Sequence, residues 1–400
     1  MVSDKVGAIG FVSRRSGARI LVDGVALGKQ MKGVGKYVAN SLWQLSEIDL
    51  VNEYWILLKD NIDPPQLPQN ARFHYVSIRF RNHMVHGLGT LPWKALQLNA
   101  DLVWIPYETT LGIFHCPYVV VCHDIAHKIV EAQYAAGRSF TIVRRLIFLL
   151  DGQMVNYSLH RAATVFYNSQ FVENWLMHSI GIANDKLEYA PCAPGSDFAH
   201  LAEKLDRQDI RRQLQCLNGY LLAIATGDQR ENLDTVLAVY DKLIGQKIGQ
   251  NLVIAGVRTE NETDVRCKVD QFGWRARVKI LPFYRDDQVS TLAEIYAGAD
   301  LYLDLSLHEG FGMQVIEAMA CGTAVICSNR GALPEVVGDA ALLVDPLETT
   351  GIVDAVLCLL SDTPLRLQLI DRGSARAAQF TWRRTAEAIS QRMAWLLKPN

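Results

Sequence analysis

Residues 301–346 restrict the fold of this 400-residue chain more than any other stretch of its sequence. The apolar run from Leu301 to Leu307 predicts a buried parallel strand, and a turn with two glycines follows it. A helix is predicted next, from Met313 to Cys321, and then a second buried strand from Ala324 to Cys327. This strand–helix–strand order is typical of an open α/β sheet, which binds ligands at the carboxyl ends of its strands.

Two acidic residues in this unit are candidate ligand contacts. Glu309 comes directly after the first strand, beside the backbone amides of Gly310–Gly312, where a helix N-terminus directs N–H groups at an anion. Glu317 lies inside the apolar helix, and its position alone leaves open whether it binds a ligand or is a solvated residue on the same face as Gln314. The run GFGMQV lacks the third glycine of a dinucleotide-binding motif, so that motif is not assigned.

The same stretch closely resembles the donor-domain signature of retaining GT-B glycosyltransferases of the GT4 class, also called glycosyl transferases group 1. That signature reads E-G-F-G, a helix with E-A-M-A-C-G, and then S-N-x-G-x-L-P-E-V-x-G-D-A-A. Both acids are present here with seven residues between them, and the similarity runs from Glu309 to Pro346 without a gap. It covers the whole chain, thinly before Ala100 and densely after it. The resemblance implies an α/β chain with the GT-B fold, in which two Rossmann-like, doubly wound parallel-sheet domains face a cleft.

The length of the chain also indicates two domains, because 400 residues exceed the size at which a single hydrophobic core keeps growing. We predict an N-terminal acceptor-side domain over residues 1–190, a linker rich in proline and charge over 191–218, and a nucleotide-sugar (donor) domain over 219–378. In the donor domain, predicted strands alternate with helices, as they do in a parallel sheet. The resemblance implies that a final helix, within residues 379–400, packs back on the first domain.

Charge and cysteine content argue against several other classes of protein. The formal net charge of −2 and the pI near 6.6 do not suit a protein that binds nucleic acid by bulk electrostatics. The 8 cysteines include no C-x-x-C pair, which indicates neither a zinc site nor a disulfide framework and fits a reducing cytosol. The N-terminus lacks the apolar core of a secretory signal, and no window reaches the roughly 18 apolar residues that span a bilayer. We therefore expect a cytoplasmic chain.

The resemblance implies roles for individual residues at a donor site. Glu309 would hold hydroxyl groups of the donor sugar, and Glu317 would accept hydrogen bonds from the ribose of the nucleotide. The nucleotide sugar is a substrate, and no metal or other cofactor is implied, because helix N-termini and Arg230 would stabilise the diphosphate. Spacing alone favours plain turn residues for the glycines of residues 33–35. The other implied donor contacts are Gly33, Gly35, Gly227, Asn232, Gly310, Phe311, Gly312 and Val315.

A histidine–aspartate pair follows the predicted strand Tyr118–Cys122. A lone histidine in such a place is more often a core or turn residue than a ligand contact. In the resembled family, however, a strand ending in T-I-H-D occurs here, and its histidine faces the sugar that is transferred. His123 is therefore a candidate catalytic residue together with Glu309 and Arg230, whereas Asp124 is expected to cap or orient the loop.

The first turn of the predicted donor domain departs from the family pattern. The family has a glycine followed after a few residues by R-K-N, and this chain reads G-D-Q-R-E-N. Arg230 and Asn232 match, but Glu231 takes the place of the lysine, and a carboxylate beside a diphosphate is electrostatically unfavourable. The Glu231 side chain turns away, or another base replaces the lysine, or the site is weakened. The candidate replacement bases are Arg14, Lys29 and Lys32.

The implied function is the transfer of a hexosyl unit from a nucleoside-diphosphate sugar to a glycan or lipid-linked saccharide in polysaccharide or lipopolysaccharide assembly. The wording S-N-R-G-x-L-P-E-V-V-G-D-A-A is similar to that of mannosyltransferases, so GDP-mannose is the first donor to consider. A UDP-hexose or a deoxysugar nucleotide is the alternative donor. A different alternative is a non-catalytic GT-B subunit that activates a partner transferase, which Glu231 favours and Glu309, Glu317 and His123 oppose.

The apolar run at residues 139–150, with Arg138, Arg144 and Arg145, has two interpretations. It is either a core helix with a basic outer face or a helix that lies on a membrane surface. Peripheral contact with the inner face of the membrane therefore stays open alongside the cytoplasmic assignment.

Overall fold

The computed structural model describes residues 17–28, 33–60, 67–80, 82–108, 110–125, 142–195, 198–274, 276–283 and 289–398. Two parallel sheets follow one another along this part of the chain. Strands with near-continuous apolar sequence, such as YVVVC and AVICS, are buried on both faces because helices cover each sheet. The predicted α/β fold of two doubly wound sheets is confirmed.

The first sheet has seven strands in the order β3-β2-β1-β4-β5-β6-β7, all of them parallel to their neighbours. Its strands are β1 (Arg19–Asp23), β2 (Glu53–Lys59), β3 (Phe73–Ile78), β4 (Leu102–Ile105), β5 (Tyr118–Cys122), β6 (Thr164–Tyr167) and β7 (Leu187–Tyr189). The helices described with it are α1 (Gly33–Ile48), α2 (His83–Val85), α3 (Leu91–Gln97), α4 (Ile142–Arg161) and α5 (Gln170–Trp175). Short π-helical turns, His86–Thr90 and Leu176–Ile180, continue α2 and α5.

The second sheet has six strands in the order β10-β9-β8-β11-β12-β13, again all parallel. Its strands are β8 (Tyr220–Ile224), β9 (Asn251–Val257), β10 (Val278–Pro282), β11 (Leu301–Asp304), β12 (Ala324–Ser328) and β13 (Ala341–Val344). Between and after them run α8 (Leu233–Gly245), α9 (Glu262–Gln271), α10 (Val289–Gly298), α11 (Met313–Ala320), α12 (Leu333–Val337), α13 (Thr349–Ser361) and α14 (Thr363–Ala377).

The strand predicted from Leu301 to Leu307 ends earlier than expected, at Asp304. The Asp304 carboxylate accepts hydrogen bonds from the backbone N–H of Ser306 at 3.2 Å and from its hydroxyl at 2.6 Å. Such local bonding offers the backbone an alternative to the sheet ladder and starts a turn. The chain therefore leaves the sheet early enough for the residues after Ser306 to face the other domain.

Two helices lie in the stretch between the sheets, where the sequence predicted a linker: α6 (Phe198–Glu203) and α7 (Arg207–Gln213). The last helix, α15 (Trp382–Leu396), packs against α1 of the N-terminal half. Trp382 meets the ring of Tyr37 edge-on at 5.7 Å, and the hydroxyl of Thr385 donates to the carbonyl of Pro191 at 2.6 Å. The C-terminal end of the chain thus binds the N-terminal domain through its own contacts.

None of the helices in the described ranges is long and apolar enough to cross a membrane. Residues 126–141 lie outside the described part, as do the side chains of residues 142–151. The two interpretations of residues 139–150 therefore rest on the sequence.

Candidate active site

The carboxyl ends of the two sheets face each other across a cleft of about 520 Å³. One wall is formed by α1 and the turns after β5 and β6, and the other by the turns after β8, β9 and β11 and by α11. The predicted residues that line the cleft are Gly33, His123, Gly227, Arg230, Glu309, Gly310, Phe311, Gly312 and Glu317. Residues far apart in sequence are thus gathered where open α/β sheets bind ligands.

Three other predicted donor contacts do not line the cleft in this structure. Gly35 is buried within α1, and Val315 is buried in the hydrophobic core. Asn232 has a left-handed backbone, with φ of 55°, and its amide group donates to the carbonyls of Leu305 at 3.0 Å and Pro346 at 2.9 Å. Asn232 therefore joins the loops after β8, β11 and β13 instead of facing a ligand.

Glu317 is 3% exposed, so it is not the solvated helix residue that its position alone allowed. One carboxylate oxygen accepts a hydrogen bond from the Tyr296 hydroxyl at 3.2 Å. The other lies 3.5 Å from Nζ of Lys36, which belongs to the opposite wall. A buried carboxylate at the floor of the cleft, paired across it, is well placed to accept hydrogen bonds from the hydroxyl groups of a ligand.

Glu309 lies in the loop that follows β11, and residues 331–332 pack against its backbone. Its carbonyl accepts a hydrogen bond from the N–H of Ala332 at 2.9 Å, and a side chain at Gly331 would come within 2.5 Å of that carbonyl oxygen. Burial raises the pKa of Glu309 well above its usual range, and the charges of Asp304 and Asp124 raise it further, although Arg230 acts to lower it. The carboxyl group therefore keeps its proton over a wider pH range than an exposed one and can both donate to and accept from sugar hydroxyls.

Arg230 is held by carboxylates from both walls. Its guanidinium donates to Oδ2 of Asp124 at 2.7 Å and to Oδ2 of Asp228 at 3.1 Å. Burial acts to lower the pKa of Arg230, but the hydrogen bonds and charges of Asp228 and Asp124 outweigh it and raise the pKa. Asp124 also accepts from Nε2 of His308, at 2.7 Å. It thus joins two residues of the opposite domain instead of only capping its own loop.

Glu231 is turned back into its own loop. Its carboxylate accepts hydrogen bonds from the consecutive backbone N–H groups of Thr226, Gly227 and Asp228 at 2.7, 3.1 and 3.0 Å, and from the Thr226 hydroxyl at 2.7 Å. Burial raises the pKa of Glu231, whereas the hydrogen bonds from Thr226 act to lower it. Three successive N–H groups that converge on one point form an anion-binding nest, and here the chain's own carboxylate fills it. Glu231 still lines the cleft, but its carboxylate is bonded to its own loop.

His123 is fixed as a neutral imidazole. Its Nε2 lies 3.0 Å from the carbonyl oxygen of Pro106, which can only accept, so Nε2 carries the proton. Its ring meets that of Tyr37 edge-on at 4.8 Å, and its carbonyl accepts from the amide of Asn168 at 3.0 Å. Burial lowers the pKa of His123 to about 4. Its backbone N–H donates at 2.7 Å to Glu108, whose pKa burial raises to about 7.

The two walls touch each other at Gly310. A side chain on this glycine would come within 2.2 Å of the carbonyl oxygen of His123, and its own carbonyl accepts from the Ser169 hydroxyl at 2.6 Å. Nearby, the carboxylate of Glu335 accepts from the backbone N–H groups of Gln170 at 2.7 Å and Phe171 at 3.2 Å, in the first turn of α5. The domains are therefore in close contact around the cleft, and only glycine fits where they meet.

Several lining residues were not singled out from the sequence: Lys36, Asn168, Arg258, Asn261 and Tyr296. No local motif marks them, because each matters through a partner or a space supplied by another element. Arg14, Lys29 and Lys32, the bases considered as replacements for the missing lysine, lie outside the described residues. In the ranges that the structure describes, no three His, Cys, Asp or Glu side chains are grouped so as to hold a metal ion.

Comparison with known proteins relates the second half of the chain to a known family. Residues 206–376, which contain the whole second sheet, match the glycosyl transferases group 1 family. The chain is 31% identical over 227 residues to the O-antigen chain mannosyltransferase B of Escherichia coli. That alignment covers 56% of this chain and 58% of the relative, so the chain spans a little over half of the relative's length.

Solved structures of other proteins superpose on nearly the whole chain. A sucrose-phosphate synthase from Thermosynechococcus elongatus superposes with a TM-score of 0.74 at 19% identity, covering 95% of this chain and 99% of that one. The Anabaena protein HepE, solved in complex with UDP-glucose, gives a TM-score of 0.70 at 16% identity and covers 94% of this chain and 100% of its own. At such low identity these similarities establish the fold, and they confirm the two-domain GT-B architecture.

Proposed function

Because residues 206–376 belong to the glycosyl transferases group 1 family and the whole chain has the GT-B fold, we propose that this protein is a hexosyltransferase. It transfers a hexosyl unit, with retention of anomeric configuration, from a nucleoside-diphosphate sugar to a glycan or a lipid-linked saccharide. The observation that carries the proposal is the pair of carboxyl groups, Glu309 and Glu317, on one strand–helix unit at the floor of the interdomain cleft.

The geometry supports a division of labour along the cleft. Glu317, beside Tyr296 and Lys36, binds the ribose of the nucleotide. Glu309 binds hydroxyl groups of the sugar, and the backbone N–H groups at the start of α11 face the diphosphate between them. In an open α/β fold the nucleotide lies at the strand ends. The sugar, the diphosphate and the ribose would therefore follow one another from Glu309, past the start of α11, to Glu317.

The reaction proposed for this cleft needs no nucleophile from the protein. The bond between the anomeric carbon and the diphosphate oxygen breaks with its electron pair on the diphosphate. The acceptor oxygen attacks from the same face, and its proton passes to the leaving oxygen. Arg230 and the helix N-terminus stabilise the developing negative charge, which is the part of the reaction that a fixed electrostatic environment accelerates most. No metal takes part in this scheme.

GDP-mannose is the proposed donor. The name of the Escherichia coli relative, an O-antigen chain mannosyltransferase, supports mannose as the sugar and polysaccharide or lipopolysaccharide assembly as the process. A UDP-hexose is the alternative donor, in line with the UDP-glucose bound to the Anabaena protein of the same fold.

Peripheral contact with a membrane is part of the proposal, because lipid-linked acceptors are held at a membrane. Exposed apolar side chains gather around α2, α3 and the loop that packs on Pro92: Met84, Val85, Leu88, Trp93, Leu96 and Ile113. The sequence from Pro64 to Ala100 contains no acidic residue, whereas Arg72, Arg79, Arg81 and Lys94 are basic. An apolar surface on a segment with basic but no acidic residues suits an anionic bilayer. Flotation with anionic vesicles, compared with neutral ones, should recover the wild-type chain but not a Trp93→Ser/Ile113→Ser variant, and equal recovery would contradict the contact.

The alternative of a non-catalytic subunit is less well supported than it was from the sequence alone. Its main support was a carboxylate at the lysine position, and the Glu231 carboxylate is bonded to its own loop rather than directed freely at the ligand. The alternative predicts a protein that binds no nucleotide sugar by itself.

Product analysis tests the proposal. The purified chain is incubated with GDP-mannose or UDP-glucose, with and without EDTA, and with mannosides that carry an apolar aglycone. We expect one donor to be used, an α-linked product by NMR from an α-linked donor, and the same rate with EDTA. An inverted product or loss of activity with EDTA would contradict the mechanism. A folded chain that neither binds nor consumes any donor would favour the non-catalytic subunit.

A further inference from the structure

Among the residues that the structure describes, more acidic than basic side chains line the cleft, which is a poor match for the diphosphate of a nucleotide sugar. The charged side chains that line it are the acids Asp124, Asp228, Glu231, Glu309 and Glu317 and the bases Lys36, Arg230 and Arg258. His123 adds no charge near neutral pH, because burial lowers its pKa to about 4. The family pattern supplies a lysine at the position of Glu231, so an acid stands here where the family has a base.

Two of the three bases are already paired with carboxylates. Lys36 lies 3.5 Å from Glu317, and Arg230 donates to both Asp124 and Asp228. Arg258 differs from both, because its guanidinium forms neither an ion pair nor a hydrogen bond with any residue in the described part of the chain. It is a partly buried cation in the cleft wall that has no protein partner there. A ligand that brings negative charge would supply one.

Arg258 lies beside the loop of residues 226–231, in which Glu231 takes the place of the family's lysine. It follows β9, the neighbour of β8, and begins the turn that leads to α9. Asn261, in the same turn, donates to the carbonyl of Thr226 at 2.7 Å, and a side chain at Gly227 would come within 2.4 Å of the Asn261 amide. The turn that carries Arg258 therefore packs directly on the loop that Glu231 closes.

The charge of Arg258 is also near enough to contribute to the electrostatics of Asp228 on this loop. Burial acts to raise the pKa of Asp228, but hydrogen bonds from Arg230 and the charges of Arg230 and Arg258 lower it. The Arg258 guanidinium is thus close enough to affect a charge on the loop without forming a contact with it. Guanidinium is also the group best suited to grip two phosphate oxygens at once.

We propose that Arg258 binds the diphosphate of the donor and takes over the charge that the family's lysine supplies from the position of Glu231. This inference rests on the proposed function. As the bond from the anomeric carbon to the diphosphate breaks, the negative charge that collects on the leaving oxygens is met by Arg258 as well as by Arg230. Glu231 holds the loop of residues 226–228 in place by accepting hydrogen bonds from its backbone N–H groups, and it supplies no positive charge.

Calorimetric titration with nucleoside diphosphates and with the matching nucleosides separates the diphosphate from the base. The probes are GDP with guanosine and UDP with uridine, and the proteins are the wild type, Arg258→Met and Arg258→Lys. Arg266→Met is the matched control, because Arg266 is an exposed arginine of the next helix, paired with Glu262 on that helix. Each titration is repeated at two salt concentrations.

We expect Arg258→Met to weaken binding of the nucleoside diphosphate about 10- to 100-fold, as for the loss of a charged hydrogen bond, and to leave nucleoside binding unchanged. Arg258→Lys should fall between this variant and the wild type, and the salt dependence should be smaller without the charge. Arg266→Met should match the wild type.

Equal nucleoside diphosphate affinity of Arg258→Met and the wild type would overturn the assignment of Arg258 and leave the proposed function standing. Equal losses for the nucleoside and its diphosphate would overturn it too, because they would indicate a disturbed fold or a base contact. If the wild type bound no nucleoside diphosphate at all, the proposed function itself would fail, and this inference with it.

Discussion

The two walls of the cleft are built in different ways. The C-terminal wall takes most of its polar groups from two short continuous stretches, residues 226–231 and 309–317, and adds Arg258, Asn261 and Tyr296 from other elements. The N-terminal wall takes Lys36, His123 and Asn168 from three separate elements, α1 and the turns after β5 and β6. Local sequence motifs therefore predict much of the C-terminal wall, whereas the residues of the N-terminal wall come together only in the folded chain.

The walls also differ in what their charged groups do. The C-terminal wall presents carboxyl and guanidinium groups to the cleft, and the N-terminal wall supplies their partners: Lys36 for Glu317, and Asp124 for Arg230 and His308. Each of these pairs crosses the cleft, so each contributes only while the domains are close together. The ligand-binding groups and the groups that hold the domains together are thus largely the same.

The largest effect is expected where the walls touch. Gly310→Ala places a methyl group about where the His123 carbonyl lies, 2.2 Å from the added carbon, so the walls must separate. A displacement of about 1 Å at reacting groups costs on the order of 100-fold in rate. We therefore expect sugar transfer to fall about 100-fold while the thermal stability of the individual domains is kept, as measured by steady-state kinetics and calorimetry.

Gly245→Ala is the matched control, because Gly245 ends α8 and has nothing within 4 Å of an added carbon. Small-angle scattering should show a more open Gly310→Ala variant and an unchanged Gly245→Ala variant. Wild-type kinetics for Gly310→Ala would mean that the contact between the walls has no part in the reaction.

A smaller effect is expected from the charge that bridges the walls. Asp124→Asn keeps the shape of the side chain but removes the negative charge that pairs with Arg230 and His308. We expect kcat/KM to fall about tenfold, in the range of partly buried charge pairs, and the remaining activity to depend less on salt. Asp234→Asn is the control, because Asp234 pairs with Lys268 on the surface of one domain. Equal effects of both variants would show that the pairs across the cleft do not contribute to closure.

The smallest effect expected is a change of stability with pH, and it comes from the N-terminal wall. The pKa of His123 is about 4 in the folded chain, against an unperturbed 6.5. Between these values the unfolded state binds more protons, so the stability that His123 contributes is complete above pH 6.5 and is lost as the pH falls towards 4. Since the residue is only partly buried, we expect a loss on the order of 1 kcal/mol. Urea unfolding of the wild type and of His123→Gln at pH 7 and pH 4.5 measures this loss of unfolding free energy. An equal loss in both proteins would contradict the assignment to His123.

Sequence reasoning was most successful where the relevant contacts are local. The strand Tyr118–Cys122 has the predicted bounds, because a buried apolar run between turns leaves little choice of structure. The unit that carries Glu309 and Glu317 was also predicted as a strand and a helix, although the strand ends at Asp304. Here the pattern of residues and the structure depend on the same short stretch.

It was least successful where a residue depends on a distant partner. Asn232 matches a family motif next to Arg230, yet its amide binds the carbonyls of Leu305 and Pro346. The opposite case is Lys36, which no motif marks and which is paired with Glu317 across the cleft. Such partners depend on how the two sheets face each other. The spacing of residues along the chain does not predict that arrangement.

Hydrogen–deuterium exchange of the wild-type chain with and without GDP-mannose, and with UDP-glucose in parallel, tests most directly whether the cleft is a donor site that both walls form. We expect slower exchange in the C-terminal wall, at residues 226–231 and 309–317, and also in the N-terminal wall, at residues 33–38 and 120–125. Protection of the C-terminal wall alone would contradict the joint role of the walls. No protection of either wall with any nucleotide sugar would contradict the assignment of the cleft as a donor site.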